Sequence, residues 1–447
     1  MTTSPPLSEA NAKTNTKSSR YCRIISIILH QWLLIGIAVA CILAYFFPHI
    51  AAHGGVIRSQ YSILYGAVAL IFLISGLSIS SHALLIHALN WRLHLLVQGA
   101  SFLLAPVTMY ALVQVISAGD PEQKIDRGVL VGYILTACIP TTIASNVMMT
   151  RSAGGDDAAA LVEVLIGNVF GPVLSPVWTV ALIPKGKGFE AWEGVSGDLD
   201  AMYRNVFKLL GLSVYLPLVV GQAIRWKWRE RTSWVMQRFY LNKVGTFMLL
   251  LLIWTSFSSC FATSALQSLN PSTIVFVLLF NIAIYLFWTL ICFFLAHILP
   301  NYLPSLLTTI QQHLRIKEPL YPSFPARITI AICFCGPAKT AALGIPLLYA
   351  MWDSFDELVK AKISIPLILY TTEQIVCAHF LVLVFKSWMR RGEKNEKSGI
   401  EVGVEEGDGG VWNESVPTRS EVSERDSIRP QQELDVEIQD AVYEKKG

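Results

Sequence analysis

Charge is scarce in this sequence. Only 15% of its 447 residues are Asp, Glu, Lys or Arg, and 53% are hydrophobic; a soluble domain carries about 25% charged residues. With a mean hydropathy of +0.49, this shortage excludes an ordinary soluble enzyme and a mostly disordered chain. Cysteines suited to disulfide bonds are also missing. Seven of the eight cysteines fall inside apolar runs and only Cys22 does not, so no disulfide framework is implied. Cys333-Phe334-Cys335 has the wrong spacing for zinc, and no metal or cofactor is expected. The chain has no Walker A loop, no HExxH and no nucleophile–base pair, which speaks against an ATP-driven pump, a membrane protease or any other enzyme.

What the sequence does have is long apolar runs. An α-helix needs about 20 apolar residues to cross a bilayer, because its backbone groups must pair internally. Ten runs qualify, near 24–46, 62–85, 93–117, 127–150, 156–183, 206–225, 245–266, 273–299, 327–351 and 360–388. They are too long, and alternate too little, for a β-barrel. The expected fold is therefore all-α and polytopic, with a short N-terminal arm (1–23), a ten-helix membrane domain (24–388) and an acidic, disordered tail (389–447). The tail is set apart by its charge, since 401–447 carry a net −8 and the rest of the chain +11. Lys and Arg near the run ends set orientation. Up to residue 397, 20 of them lie on the N-terminal side and nine on the other, which places both termini in the cytoplasm. The basic residues lie between apolar runs, so the partners are a lipid bilayer and a small molecule or ion, not nucleic acid.

Ten runs divide into five plus five. An odd number turns the second copy upside down, which is the inverted repeat of many secondary transporters. The fourth run of each half carries a proline near its middle, in Cys138-Ile139-Pro140-Thr141-Thr142-Ile143-Ala144-Ser145-Asn146 and in Cys335-Gly336-Pro337-Ala338-Lys339-Thr340. Proline removes an N–H and clashes with the preceding turn. The freed backbone groups and half-helix ends then need partners, which an ion or polar substrate can supply. Runs 4 and 9 are thus expected to be broken and crossed. Pro140, Thr141, Thr142, Ser145, Asn146, Pro337, Lys339 and Thr340 are candidate substrate or ion-binding residues.

Lys339 lies 12 residues from either end of its run. Its side chain is too short to snorkel out over the roughly 18 Å that separates it from water. An ammonium there costs at least ~2.5–3.5 kcal/mol, so it is expected to face a cavity or a carboxylate. Glu373 lies at similar depth and is the expected partner; Glu163 is nearer one end of its run, and both are further candidate substrate or ion-binding residues. Lys339 is then either a fixed cation that binds an anion or replaces a coupling ion, or half of a structural ion pair. Asp156 and Asp157 open the fifth run, at least one of them as an N-cap. His82, His87 and His94 read as interfacial histidines with no accompanying carboxylate. Segment 225–243 combines six Lys/Arg with Trp226, Trp228 and Trp234, which suits a headgroup-level helix.

Pro140 through Asn146, with Gly155, Pro172 and Pro176, resembles the broken helix and following span of the bile-acid:sodium symporter superfamily. Phe334 through Leu348, with its lysine followed by Leu343-Gly344-Ile345-Pro346, is similar to the sodium/bile-acid cotransporter 7 branch, which includes fungal regulators of calcium homeostasis. The resemblance implies a core domain (spans 3–5 and 8–10) and a panel domain (spans 1, 2, 6 and 7). It also implies a solute-carrier or symporter activity, Na+ as coupling ion, and a place in the plasma membrane or a late secretory membrane such as the Golgi. Ser145 and Asn146 match the family's sodium-ligand pair on span 4. Elsewhere the pattern departs: Pro-Gly-Gly is Pro140-Thr141-Thr142, the span 5 hydroxyls fall near Ala160 and Glu163, and Lys339 stands where the family has asparagine. The expectation is a sodium/bile-acid cotransporter-like carrier of a small anionic solute with weak or no sodium dependence. The branch also implies an alternative, a membrane regulator of calcium influx with calcium-channel components as partners.

Overall fold

The computed structural model describes residues 32–78, 87, 89–142, 144–186, 188–193, 199–302 and 324–405. The N-terminal arm, the start of the first run, His82 and the tail beyond Glu405 lie outside the described residues. Among those described, every regular element is a helix. The helices that build the membrane body are, in chain order, α1 (Trp32–Phe46), α2 (Ser59–Ser78), α3 (Trp91–Gly119), α4 (Arg127–Cys138), α5 (Ala144–Ala153) and α6 (Asp157–Leu182). They continue with α7 (Asp200–Lys227), α8 (Leu241–Ala262), α9 (Pro271–Ile298), α10 (Ala326–Cys335), α11 (Ala341–Met351) and α12 (Glu357–Glu405). Seven of them (α2, α3, α6, α7, α8, α9 and α12 as far as Gly392) are long and apolar enough to cross a membrane. Exposed Leu279, Leu290, Phe380 and Leu383 present an apolar exterior. The protein is an all-helical polytopic membrane protein.

The runs expected at 127–150 and 327–351 each fold as two half-helices, α4 with α5 and α10 with α11. Ile139 turns extended (φ −77, ψ 156), as a residue before proline must, and α4 stops. Thr340 is extended (φ −108, ψ 122) where α11 begins. Proline alone does not account for this, because Pro172 and Pro176 sit inside α6 and Pro366 inside α12. Asp156 caps α6 by accepting from the Ala159 N–H at 3.0 Å.

α1 packs on α8, and α2 packs on α7 and α8. α2 and α7 meet backbone to backbone. A Cβ on Gly76 would lie 2.5 Å from the Leu218 carbonyl oxygen, and one on Gly221 2.5 Å from that of Leu73. In a second group, α10 packs on α5, α6 and α9, and α4 packs on α3 and α6. α12 closes on α4 at Gly132, where a Cβ would clash with the Ile363 carbonyl. α7 joins the two groups by packing on α11. A short helix, Arg229–Arg238, carries exposed Trp234 next to exposed Trp226 and Trp228.

α12 runs on to Glu405. Residues 390–397 are mostly Arg, Lys and Glu, good helix formers that extend a helix already nucleated in the membrane domain.

Candidate functional site

The two breaks touch. The Thr340 N–H donates to the Pro140 carbonyl at 3.0 Å. Across this contact Lys339 reaches into the end of α4. Its ammonium is fully buried and donates to the carbonyls of Ala137 (2.8 Å) and Ile139 (3.0 Å), and to the carbonyl (2.8 Å) and hydroxyl (3.3 Å) of Ser101. Trp288 covers it, with Nζ 5.7 Å from the ring centroid.

Each oxygen is there for a local reason. The last carbonyls of a helix have no intrahelical partner and carry its negative dipole end, and those of Ala137 and Ile139 lie where α4 stops. Ser101 belongs to a π-helical turn, Ala100–Leu104, a geometry that disturbs the regular backbone ladder and often marks functional sites. The cage is what a small cation would be offered: hard oxygens, mostly carbonyl.

The second break is held from α12. Gln374 bridges the Lys339 peptide, accepting from its N–H at 2.9 Å and donating to its C=O at 2.7 Å. The Tyr370 hydroxyl donates to the Pro337 carbonyl at 2.6 Å. On the α4–α5 side, Asn146 Nδ2 donates to Thr141 Oγ1 at 2.5 Å, and Asn168 Nδ2 donates to the Thr141 carbonyl at 3.2 Å. Thr142 and Ser145 are buried beside them. Pro140 packs against Gly171, where a Cβ would lie 2.6 Å from its ring.

Two expectations about charge are corrected. Lys339 forms no ion pair with Glu373 among the described residues; backbone carbonyls satisfy it instead. Glu373 faces Asn281 on α9. Depth in the membrane does not fix the side of a helix, and α12 turns Gln374, not Glu373, toward the break. His87 and His94 do have carboxylates. His94 Nδ1 meets Glu163 Oε1 at 2.5 Å, and His87 Nε2 lies 3.7 Å from Asp156 Oδ2. Glu163 is fully buried and also accepts from Gln98 Nε2 at 2.9 Å. These acids come from α6 and its cap, roughly 70 residues away in sequence, so local spacing could not reveal them.

The structure thus gathers Pro140, Thr141, Thr142, Ser145, Asn146, Pro337, Lys339 and Thr340 around the two breaks. Glu163 sits in a neighbouring His94–Gln98 cluster and Glu373 in a separate one. Sequence reasoning missed Ser101, Gln98, Asn168, Tyr370 and Gln374. Polar side chains inside apolar runs were the only available signal for them. Among the described residues, no group of three or more His, Cys, Asp or Glu could hold a metal ion.

Residues 31–387 match the SBF-like CPA transporter family (DUF4137). The chain is 40% identical over 389 residues to Solute carrier RCH1 of Candida albicans, which covers 83% of this chain and 92% of that protein. It is 37% identical over 379 residues to Solute carrier RCH1 of Saccharomyces cerevisiae, covering 82% and 86%. It is 27% identical over 376 residues to Sodium/bile acid cotransporter 7 of Rattus norvegicus, covering 84% and 98%. A match across the whole helical body, with a polar contact between two broken helices at its centre, places the chain in the SBF-like CPA transporter family.

Proposed function

We propose that this chain is a secondary transporter of a small anionic solute, and that the Lys339 ammonium holds the cation position at the crossing in place of sodium. The carrying observation is its cage: one fixed charge, fully buried, on oxygens from Ser101, Ala137 and Ile139. A second cation beside it would be repelled. Glu163 is already engaged by His94 and Gln98, which leaves little free carboxylate for sodium. The solute's negative charge suits the N-terminal ends of α5 and α11, whose dipoles point positive at the crossing; Ser145, Asn146 and Thr340 lie there.

In this reading each pair of half-helices counts as one broken crossing, which gives ten crossings in two inverted five-helix repeats. α1, α2, α7 and α8 form the panel, and the remaining helices form the core that moves against it. Both termini are cytoplasmic, and the membrane is the plasma membrane or a late secretory one. The test is organic-anion uptake into proteoliposomes with and without a sodium gradient, wild type against Lys339→Ala. Sodium-independent uptake lost in Lys339→Ala is expected; uptake that requires sodium in the wild type overturns the reading.

A second reading rests on the resemblance of the Lys339 helix to that of fungal regulators of calcium homeostasis. The chain would limit calcium influx, by transport through the crossing or through its C-terminal tail acting on a channel component. Lys339→Ala abolishes the effect in the first case, and truncation after Glu405 abolishes it in the second.

A further inference from the structure

Away from the crossing, a half-buried carboxyl and a fully buried amide face each other. Glu373 sits near the middle of the apolar stretch Glu357–Gly392. One of its oxygens, Oε2, is enclosed and makes no hydrogen bond. Beside it, at the edge of hydrogen-bond range, is Asn281 of α9, only 1% exposed, and neither of its amide atoms makes a hydrogen bond of full geometry. Buried polar groups in native proteins are nearly always paired, so three orphaned atoms in one place call for a reason. The titratable groups that face Glu373 are Tyr133 from α4 and Cys377 one turn along α12. The Tyr133 hydroxyl is engaged with the Val277 carbonyl at 3.2 Å. Among the described residues no Lys, Arg or His forms an ion pair with Glu373.

We propose that Glu373 and Asn281 form a proton-binding site. A carboxylate in apolar surroundings without a cation is costly, and taking up a proton removes that cost. The protonated acid can donate its O–H to Asn281 Oδ1 while Asn281 Nδ2 donates to the other carboxyl oxygen, so one proton satisfies all three orphaned atoms. After the proton leaves, Nδ2 still bonds the carboxylate, which keeps both states accessible. A metal ion is less well served, since two side chains offer too few oxygens for sodium or calcium. The site is mechanically tied to the crossing, because the next residue, Gln374, grips the Lys339 peptide. The transporter reading thereby gains a coupling ion, while the site itself can be tested without transport.

The test uses the full chain in lipid nanodiscs with a hydrophobic carbodiimide, which adds protonated carboxyls in apolar surroundings, read by peptide mass spectrometry. Glu373 shares a face of α12 with exposed Val376 and Phe380, so the reagent can reach it from the lipid. Modification of the Glu373 peptide at neutral pH is expected, falling about tenfold for each pH unit above its midpoint. Asn281→Leu is expected to move that midpoint to higher pH, because an amide N–H bonds a carboxylate more strongly than an acid. The wild-type profile needs no variant to fold. An unmodified Glu373 at every pH overturns the proposal, and so does protection by sodium at fixed pH, which makes the site a cation site. Failure of anion uptake with this profile intact removes the transporter reading and leaves the proton site standing.

Discussion

Gln374 clamps the peptide of Lys339 from both sides, accepting from its N–H at 2.9 Å and donating to its C=O at 2.7 Å. A side-chain amide here does what the next turn of helix would otherwise do, so the break between α10 and α11 is stable without a ligand. Gln374→Leu leaves both backbone groups buried and unpaired, at about 1–3 kcal/mol each. Thermal unfolding in detergent is expected at a clearly lower midpoint, with Gln374→Glu, which keeps only the acceptor, in between. Equal midpoints for all three would show that the clamp carries no load.

Lys339→Ala empties a cage of four oxygens (Ser101 carbonyl and hydroxyl, Ala137 and Ile139 carbonyls). The variant is expected to be destabilised and then to gain stability from added sodium or potassium, by about 2.7 kcal/mol at a hundredfold excess over Kd. The wild type should show no such shift. Thermal melts across a salt series, with choline chloride as control, read the difference.

Glu163 is buried, with His94 and Gln98 as partners. Removing one partner of a buried pair costs about 3–5 kcal/mol, because the other charge is stranded. His94→Ala is therefore expected to lower folded yield sharply, and the added change Glu163→Gln to recover most of it. A double variant as unstable as His94→Ala alone would mean that the histidine acts by packing.

His53 lies in the loop between α1 and α2. Its ring stacks on Tyr349 with centroids 4.5 Å apart, and its backbone N–H donates to Ser259 Oγ at 3.0 Å. Burial pushes the imidazole below its ordinary 6.5, with Lys360 pushing the same way and Glu357 opposing. A lowered folded value means that the unfolded chain binds the proton more readily. This contribution to stability is present above about pH 6.5 and is lost as pH falls from there through the folded value. His53→Phe keeps the stacking and should flatten the melting midpoint over that window.

Gly76 and Gly221 let α2 and α7 touch backbone to backbone. A larger residue must separate the helices, and overpacking of this kind costs about 1–3 kcal/mol or more. Gly76→Val is expected to reduce the monodisperse fraction on size-exclusion chromatography. Gly66→Ala has nothing within 4 Å of the new methyl and should leave that fraction unchanged or raise it.

Composition and run length alone determined that this chain is helical and lies in a membrane, because a backbone in lipid has to pair within each segment. Pro140 and Pro337 also marked where two helices break. Which prolines break a helix was a tertiary decision. Pro172, Pro176 and Pro366 stay inside helices, while the breaks near Pro140 and Pro337 persist where Lys339, Thr340, Tyr370 and Gln374 arrive to pair the freed groups. The sequence pointed to a buried lysine, since it lies 12 residues from either end of a mostly apolar run. It could not show that carbonyls rather than Glu373 would satisfy that lysine. Those carbonyls belong to every residue type alike, and only the meeting of distant half-helices brings them into reach.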